Sequence, residues 1–434
     1  MKTGGAVILS ASDEGIRVSA ASARISTTEG NALSAFEKGD GAERDLKLIR
    51  KVLASGHRTV VEHQTYTIAF HDVSVLAEEL LIECRLASYT VKSRRYVNFS
   101  GAGYDVPEGL SEAEEAAFRA NMDARFETYE QLLSLGIPRE DARFVLPYCF
   151  KSNFYMTLNA RELAHVIASM LNGRMSLYPE MRRLGESLKA QLDARFPGVL
   201  DAELKDAPVY HRASLPAEPT VPHAVHSSVD MRPAFGAKEA LDQVLRFSGR
   251  FEAEDYRALV RDARPRELET ISYGFTVQNI SLACVTHFAR HRMQTLLAPD
   301  VETALLGGGY VLPDTVTANP DALILYTRAF EDNARAAREM LDGGAPREAL
   351  AYYALAGCTV DILTVMNARE LLHFLKLRTC SRAQWEIRRA AEAMLARLQG
   401  DFPQLFRLYG PGCAVTGRCP EGRLSCGRIR KTEE

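Results

Sequence analysis

Several features of other protein classes are missing from this 434-residue sequence. It has no uncharged run of about 18 apolar residues, which excludes an ordinary membrane-spanning helix. Proline and glycine number only 18 and 29, which excludes collagen-like and low-complexity disordered chains. Neither sign of charge dominates, because 53 Lys and Arg residues stand against 56 Asp and Glu. This balance disfavours polymeric nucleic acid as a partner.

A secretory leader and a dinucleotide fingerprint are also missing. The apolar residues 6–9 form too short a run for the hydrophobic region of a signal peptide, so we expect a cytoplasmic protein. No Gly-x-Gly-x-x-Gly follows a credible strand, which argues against a Rossmann nucleotide site. Gly307–Gly309 is interpreted as a turn.

Cysteine is sparse, and most of it is scattered. Five of the eight cysteines lie in apolar stretches, where a thiol behaves as a small buried hydrophobe. The other three, Cys413, Cys419 and Cys426, lie in a turn-rich tail, residues 410–434. Three thiolates with one further ligand would suit tetrahedral zinc, but the spacing is not that of a Cys-x2-Cys knuckle. Zinc binding and free thiols both remain open for this tail.

The chain contains a diverged tandem repeat. Asn159–Leu163 recurs as Asn367–Leu371, and the dipeptide Phe196–Pro197 recurs as Phe402–Pro403, with displacements of 208 and 206 residues. Several matches in one register are not expected by chance. The predicted organisation is a first repeat over residues 1–207, a proline-containing linker over 208–235, a second repeat over 236–409 and the tail over 410–434.

Each repeat is predicted to be α+β, a small antiparallel sheet with packed helices. The first repeat has a strand over 65–73 and helices over 75–87, 111–136, 162–171 and 180–196; the second has a strand over 270–277 and helices over 282–291, 321–341, 369–377 and 382–400. The order of elements is similar in the two halves and does not alternate as in a βαβ fold.

Arginines mark candidate anion sites in both repeats. Ser93, Arg94 and Arg95 form one group and Arg290–Arg292 another, and guanidinium groups bind phosphate bidentately. The alternative is a solvated helix end. Along Asn367–Arg378, amide, imidazole and guanidinium groups recur at helical spacing, which indicates either the wall of a polar pocket or a surface stripe.

These motifs resemble those of the flavin-dependent thymidylate synthases, the ThyX family, once in each half. The first half contains Ala-Arg-x-Ser at 23–26, Glu-His at 62–63 and Ser-x-Arg-Tyr at 93–96. The second contains Arg-His-Arg at 290–292, Asn-x-Arg at 367–369, an arginine at 378 and Ala-Gln-x-Glu-Ile-Arg at 383–388. The resemblance implies two ThyX-like repeats fused into a pseudo-dimer.

Each half has lost a different part of the family pattern. The second keeps Arg290, Arg292 and the position of the family's catalytic arginine, Arg378, whereas the first has Met170 or Asn172 at that last position. The first half keeps the arginine that contacts nucleotide later in the family motif, Arg143. Because ThyX active sites lie between subunits, the resemblance implies one intact composite site per chain and one decayed site.

The resemblance also implies the chemistry. Arg378 would be catalytic, while Ser93, Arg95, Arg143, His287 and Arg290 would bind a dUMP-like pyrimidine nucleotide. The implied FAD contacts are Ser26, Thr59, Glu62, Arg290, His291, Arg292, Asn367, Arg369, His373 and Gln384. The implied reaction is reductive methylation of dUMP to dTMP with methylene-tetrahydrofolate and NADPH. By analogy, two of the tandem chains would associate as a homodimer, without a membrane partner.

One departure keeps other functions open. Thr90 and Val91 stand where the family has Asn-Glu, so the family's carboxylate is missing there. The alternatives are an FAD-dependent enzyme that modifies a different pyrimidine nucleotide, and a non-catalytic homologue that binds flavin or nucleotide.

Overall fold

The computed structural model describes residues 4–39, 41–205, 220–235, 238–252 and 254–428. The chain divides into two compact units. The first unit is Met1–Arg139, Val145–Leu215 and Arg335–Ala354, and the second is Glu140–Phe144, Pro216–Ala334 and Leu355–Glu434. Among the described residues, no helix is both long enough and apolar enough to cross a bilayer.

The first unit is built on a four-stranded antiparallel sheet. Its strands are β1 (Gly5–Ala11), β2 (Thr65–Ser74), β3 (Ser88–Val91) and β4 (Lys151–Asn159), in the order β1-β2-β4-β3. In β2, the side chains of Tyr66, Ile68 and Phe70 are buried and alternate with more exposed residues. This two-residue period places one face of the strand on the core.

The helices of the first repeat are α1 (Gly15–Ile25), α2 (Ala32–Glu37), α3 (Ala42–Ala54), α4 (Val75–Ile82), α5 (Glu112–Ser134), α6 (Arg139–Ala142), α7 (Ala160–Asn172), α8 (Pro179–Arg195) and α9 (Asp201–Lys205). Of these, α4, α7 and α8 pack against the sheet. Helix α5 begins with a capping box, in which the Ser111 side chain accepts from the Glu114 amide and the Glu114 carboxylate accepts from the Ser111 amide. This reciprocal pair explains where the helix starts.

The second unit repeats the sheet and adds a small strand pair. Its strands are β5 (His223–Val225), β6 (Ser228–Phe235), β7 (Ser272–Ser281), β8 (Gln294–Leu297), β9 (Gly309–Val311) and β10 (Thr359–Asn367). The antiparallel sheet has the order β6-β7-β10-β8, while β5 and β9 pair in parallel. Gly308, in the predicted glycine turn, has a φ of 71°, a conformation that favours glycine.

The remaining helices follow the order of the first repeat. They are α10 (Lys238–Ser248), α11 (Tyr256–Arg261), α12 (Leu282–Ala289), α13 (Val301–Gly307), α14 (Asp314–Thr317), α15 (Pro320–Asp342), α16 (Leu350–Tyr353), α17 (Ala368–Arg378), α18 (Trp385–Asp401), α19 (Pro403–Phe406) and α20 (Gly412–Thr416). Short 3-10 turns lie at Thr59–Val61, Arg143–Val145, Arg174–Leu177, Arg266–Thr270, Arg347–Ala349 and Gly422–Leu424.

One buried contact is repeated in both units. The amide and hydroxyl of Ser74, at the start of α4, donate to Glu180 of α8 at 2.8 and 2.5 Å. The amide and hydroxyl of Ser281, at the start of α12, donate to Glu386 of α18 at 2.7 and 2.5 Å. The glutamate in the Ala-Gln-x-Glu-Ile-Arg segment therefore ties two helices together.

The compact units do not coincide with the repeats along the chain. Residues 140–144 of the first repeat belong to the second unit, where the Gly357 amide donates to the Phe144 carbonyl at 2.9 Å. Residues 335–354 of the second repeat belong to the first unit, where the Tyr148 amide donates to the Ala354 carbonyl at 2.8 Å. The predicted boundaries at 207 and 236 therefore do not coincide with the limits of the compact units.

The α+β class and the antiparallel sheets are confirmed, and the linker prediction needs correction. Part of the range 208–235 forms β5 and β6, because Ser228–Phe235 pairs with β7 as an edge strand of the second sheet. Its prolines suggested a loop, yet an edge strand tolerates proline because one side of the strand needs no donor. Residues 206–219 lie outside the described range.

Candidate functional site

Arg378 is the last residue of α17, and two hydrogen bonds orient its guanidinium group. Its Nε donates to Nε2 of His291 at 3.0 Å, and its Nη2 donates to the His287 carbonyl at 3.1 Å. Asn367 caps the start of this helix, and its side chain accepts from the Glu370 amide at 2.9 Å. The cap sets the start of α17, and the hydrogen bonds set the direction of the arginine at its end.

The Arg-His-Arg segment lies where α12 ends. Arg290 and Arg292 are exposed, whereas His287 and His291 are buried. Gln294 lies just beyond; its amide nitrogen donates to the Phe288 carbonyl, and its side-chain oxygen accepts from Thr364 at 2.6 Å. The segment is therefore fastened to both α12 and β10, with two cationic side chains directed outward.

Arg143 belongs to the same unit as Arg378, although it comes from the first repeat. It is buried, and its Nε donates to the Glu140 carbonyl at 3.1 Å. The charges of Arg378 and Arg143 both act on the Cys284 thiol, whose pKa is raised mainly by burial. Two of the predicted arginines therefore lie near one residue of α12.

The neighbour of Arg143 explains how this segment is held. The carboxylate of Asp141 accepts from the Thr315 hydroxyl at 2.6 Å and from Nε1 of Trp385 at 2.7 Å. Burial raises the pKa of Asp141. Trp385 is the sole tryptophan of the chain and begins α18, so a long-range polar contact fixes residues 140–144 onto the second unit.

In the first unit, Ser93 and Arg95 lie on a loop with a buried ionic anchor. Arg94 forms an ion pair with Glu78 of α4, and the Ser152 hydroxyl also donates to that carboxylate. When the helices and strands of the two repeats are aligned, the residues equivalent to Glu78, Arg94 and Ser152 are three valines of the second repeat, Val285, Val301 and Val360. The polar anchor therefore exists only in the repeat that keeps Ser-x-Arg.

The carboxyl group beside this anchor gives a testable pH dependence. Burial, followed by the charges of Glu83 and Glu78, raises the pKa of Glu79 from 4.5 to about 8, against the opposing charge of Arg94. Since the folded state then holds the proton more tightly than the unfolded chain, stability should fall as pH rises from 4.5 to 8. As pH rises over this range, we expect the free energy of unfolding of Glu79→Gln to fall by more than about 1 kcal/mol less than that of the wild type.

Urea denaturation at several pH values between 5 and 8 measures the effect. The exposed Glu112→Gln on α5 is the matched control and should follow the wild type. Identical pH slopes for Glu79→Gln and the wild type would contradict the assignment.

A cavity of about 580 Å³ in the second unit brings together three predicted cofactor residues, Asn367, Arg369 and His373. Arg369 forms an ion pair with Glu269, which also lines the cavity, and Lys376 adds a second cation whose pKa is lowered by burial. Part of the predicted polar stripe on α17 thus lines a cavity, whereas Arg378 is not among the lining residues.

Other predicted cofactor residues have structural partners. Gln384 is buried and caps α18, accepting from the Glu386 and Ile387 amides at 3.0 and 3.2 Å. In the first unit, Ser26 and Thr59 are exposed, and Glu62 forms an ion pair with Arg161 at 2.5 Å. That pair is the counterpart of Glu269 and Arg369, so it belongs to the repeated architecture.

The helix caps identify which residue of the first repeat stands at the position of Arg378, the predicted catalytic arginine. Asn159 caps α7 as Asn367 caps α17, so Met170 occupies the position of Arg378. Met170 is fully buried. Glu83, at the position of Arg290, forms an ion pair with Arg174 at 2.7 Å. No guanidinium group therefore stands at either position of the first repeat.

The two residues that stand where the family has Asn-Glu lie in a strand. Thr90 and Val91 lie in β3, opposite Tyr155 and Phe154 of β4.

The zinc hypothesis is not supported, because no three metal-binding side chains converge anywhere in the described ranges. The sulfurs of Cys413 and Cys426 both point to the Arg428 carbonyl, at 4.0 and 3.9 Å. A turn-rich tail brings thiols near one another without creating a ligand set.

Sequence reasoning gave Glu370 no role and missed Asp141. Glu370 is largely buried, and its carboxylate lies 3.2 Å from Nδ1 of His291. The available signal was its place one turn into a helix that ends in the predicted catalytic arginine. Asp141 had no comparable signal, since its partners are 174 and 244 residues away.

Comparisons with known proteins agree with these motifs. The family model described as thymidylate synthase complementing protein matches residues 7–198 and again 224–404. A flavin-dependent thymidylate synthase of Geobacter sulfurreducens is 38% identical over 169 residues, covering 38% of this chain and 72% of the relative. That of Clostridium tetani is 29% identical over 184 residues, covering 38% and 74%.

Among solved structures, ThyX from Helicobacter pylori with FAD and dUMP is 21% identical to this chain, with a TM-score of 0.38. The match covers 46% of this chain and 99% of the Helicobacter pylori chain. The two family matches together span most of the sequence, one in each repeat. The chain therefore belongs to the ThyX family of thymidylate synthase complementing proteins, as a tandem fusion of two repeats.

Proposed function

We propose that this chain is an FAD-dependent thymidylate synthase that converts dUMP to dTMP with methylene-tetrahydrofolate and NADPH. The observation that carries the proposal is the guanidinium group of Arg378, fixed by His291 and the His287 carbonyl at the end of α17. Family membership supplies the reaction class, and the relatives named flavin-dependent thymidylate synthases support it.

The proposed role of Arg378 is electrostatic. Methylation at C5 of uracil requires that carbon to become nucleophilic, which places negative charge on the ring. A guanidinium group already held in place stabilises such charge without reorganising during the reaction. Arg290, exposed at the end of α12, would lie between the nucleotide and the flavin.

We propose one working site per chain. Ser93 and Arg95 of the first repeat would hold the 5′-phosphate together with Arg143, and Arg378 would act on the base. The presence of Arg143 in the compact unit of Arg378 supports this assignment, as does the ionic anchor that the Ser93–Arg95 loop alone possesses. The other site would be inactive, because Glu83 and Met170 stand where arginines are needed.

The cavity around Asn367 has cationic and polar groups that suit FAD, alongside the carboxylates of Asp262, Glu269 and Glu370. Arg369 and Lys376 can neutralise a pyrophosphate, and Asn367 and His373 offer polar contacts. Gln384 is not among the residues that line this cavity; its buried Nε2 has no hydrogen-bond partner in the described part of the chain. Bound flavin would supply the hydride that converts the transferred one-carbon unit to methyl.

Purified protein tests the proposal directly. We expect a yellow protein that forms dTMP in an anaerobic assay with dUMP, methylene-tetrahydrofolate, FAD and NADPH. A yellow protein that is inactive on dUMP but binds another pyrimidine nucleotide would favour a second candidate, modification of a different nucleotide. Thr90 and Val91 favour that candidate, because they remove the family's carboxylate from β3.

A colourless, inactive protein would instead indicate a non-catalytic homologue.

We also propose that two tandem chains associate. Light scattering of the purified protein tests this, and a particle with the mass of one chain would contradict it.

A further inference from the structure

His291 connects the catalytic arginine of the proposed function to a carboxylate. Its Nε2 accepts from Nε of Arg378 at 3.0 Å, and its Nδ1 lies 3.2 Å from Oε1 of Glu370. The imidazole is 4% exposed and packs against the Phe374 ring, 4.8 Å between centroids. Glu370 and Arg378 are the two ends of one line of hydrogen bonds, with His291 in the middle.

The chemistry of these groups determines the state of the ring. A guanidinium group has only donors, so Nε2 of His291 must carry a lone pair. The ring is therefore neutral, with its proton on Nδ1, where it donates to the Glu370 carboxylate. Burial lowers the pKa of His291, and the charges of Arg378 and His373 lower it further, whereas Glu370 opposes them.

The first repeat provides an internal comparison. The equivalents of Glu370, His291 and Arg378 are Glu162, Cys84 and Met170, counted from the helix caps and from the ends of α4 and α12. The glutamate is present in both repeats, and its charge acts on Cys84 in the first. Of the two repeats, only the one with the arginine has the imidazole. This indicates that the imidazole serves the arginine and is not required by the fold that the repeats share.

We propose that His291 is a positioning residue for Arg378, a neutral imidazole that Glu370 holds in the Nδ1-protonated form so that Nε2 fixes the guanidinium direction. The inference rests on the proposed function, because it assigns Arg378 the catalytic role. Protonation of His291 removes the acceptor and sets two cations against each other. Turnover should therefore be lost as pH falls through the titration of His291.

Three variants and one control test this in the flavin-loaded protein. His291→Leu should lower kcat roughly 10- to 100-fold with little change in KM for dUMP, since a small displacement of a catalytic group costs this much. His291→Gln, whose amide can accept and donate, should recover much of the kcat. Its kcat should also lack the fall at low pH that protonation of His291 causes in the wild type. In Glu370→Gln, that fall in kcat should move to lower pH. Cys84→Ala, at the mirror position, should behave as wild type.

A second readout does not depend on turnover. The imidazole ¹⁵N shifts of protein without added flavin, assigned through the loss of one signal in His291→Gln, should show a protonated Nδ1 and an unprotonated Nε2 at neutral pH. A protonated Nε2, or an unchanged kcat and pH profile in His291→Leu and His291→Gln, would overturn the inference while the proposed function stands. A wild type that makes no dTMP would overturn the proposed function, and the positioning role with it.

Discussion

Replacing Arg378 with alanine is expected to lower kcat for dTMP formation about 100- to 1,000-fold, the usual cost of removing one preorganised group that stabilises developing charge. The substitution removes a cation that is held by two hydrogen bonds, to Nε2 of His291 and to the His287 carbonyl. Because the group lies at the end of α17 and not within its core, the protein should still fold. Initial rates of dTMP formation at saturating dUMP measure the effect.

Glu83→Ala, in the first repeat, is the control variant for Arg378→Ala. Glu83 occupies the position of Arg290 and forms a partly exposed ion pair with Arg174, so its removal should change stability by less than about 1 kcal/mol and leave turnover intact. Arg378→Lys should recover little of the lost activity, because an ammonium group lacks the guanidinium fork. Equal loss of activity in Arg378→Ala and Glu83→Ala would contradict the asymmetry between the repeats.

Replacing Arg95 with alanine is expected to raise KM for dUMP about 10- to 100-fold, since a hydrogen bond to a charged group is worth about 1.5–3 kcal/mol. The chromophore of bound flavin should be retained, because Arg95 is assigned to the nucleotide phosphate. Titration of the flavin spectrum with dUMP measures the affinity independently of turnover.

Lys92→Ala is the control for Arg95. Lys92 is an exposed cation in the same loop, so its loss changes the net charge equally without removing an assigned phosphate contact. A comparable rise of KM in both variants would indicate a general electrostatic effect, and the specific role of Arg95 would then be wrong. The salt dependence of KM should also be weaker in Arg95→Ala than in the wild type.

The two repeats also differ in the buried side chains that support their site residues. Where the first repeat buries Arg94 with Glu78 and Ser152, the second has three valines. Where the second repeat holds an arginine through His291, the first has Cys84 and Met170. We propose that each supporting network is kept in only one repeat because the proposed composite site would need each network once.

The sequence by itself determined the repeat, the α+β class and the family, because these depend on residue types at fixed spacing. It also located the helix Ala368–Arg378, whose cap and amphipathic pattern are local features. Only the tertiary structure decided that residues 140–144 pack in the unit of Arg378 and that Glu370 reaches His291. Contacts such as Asp141 with Trp385 join residues 244 apart, and no local spacing records which distant surface a buried polar group meets.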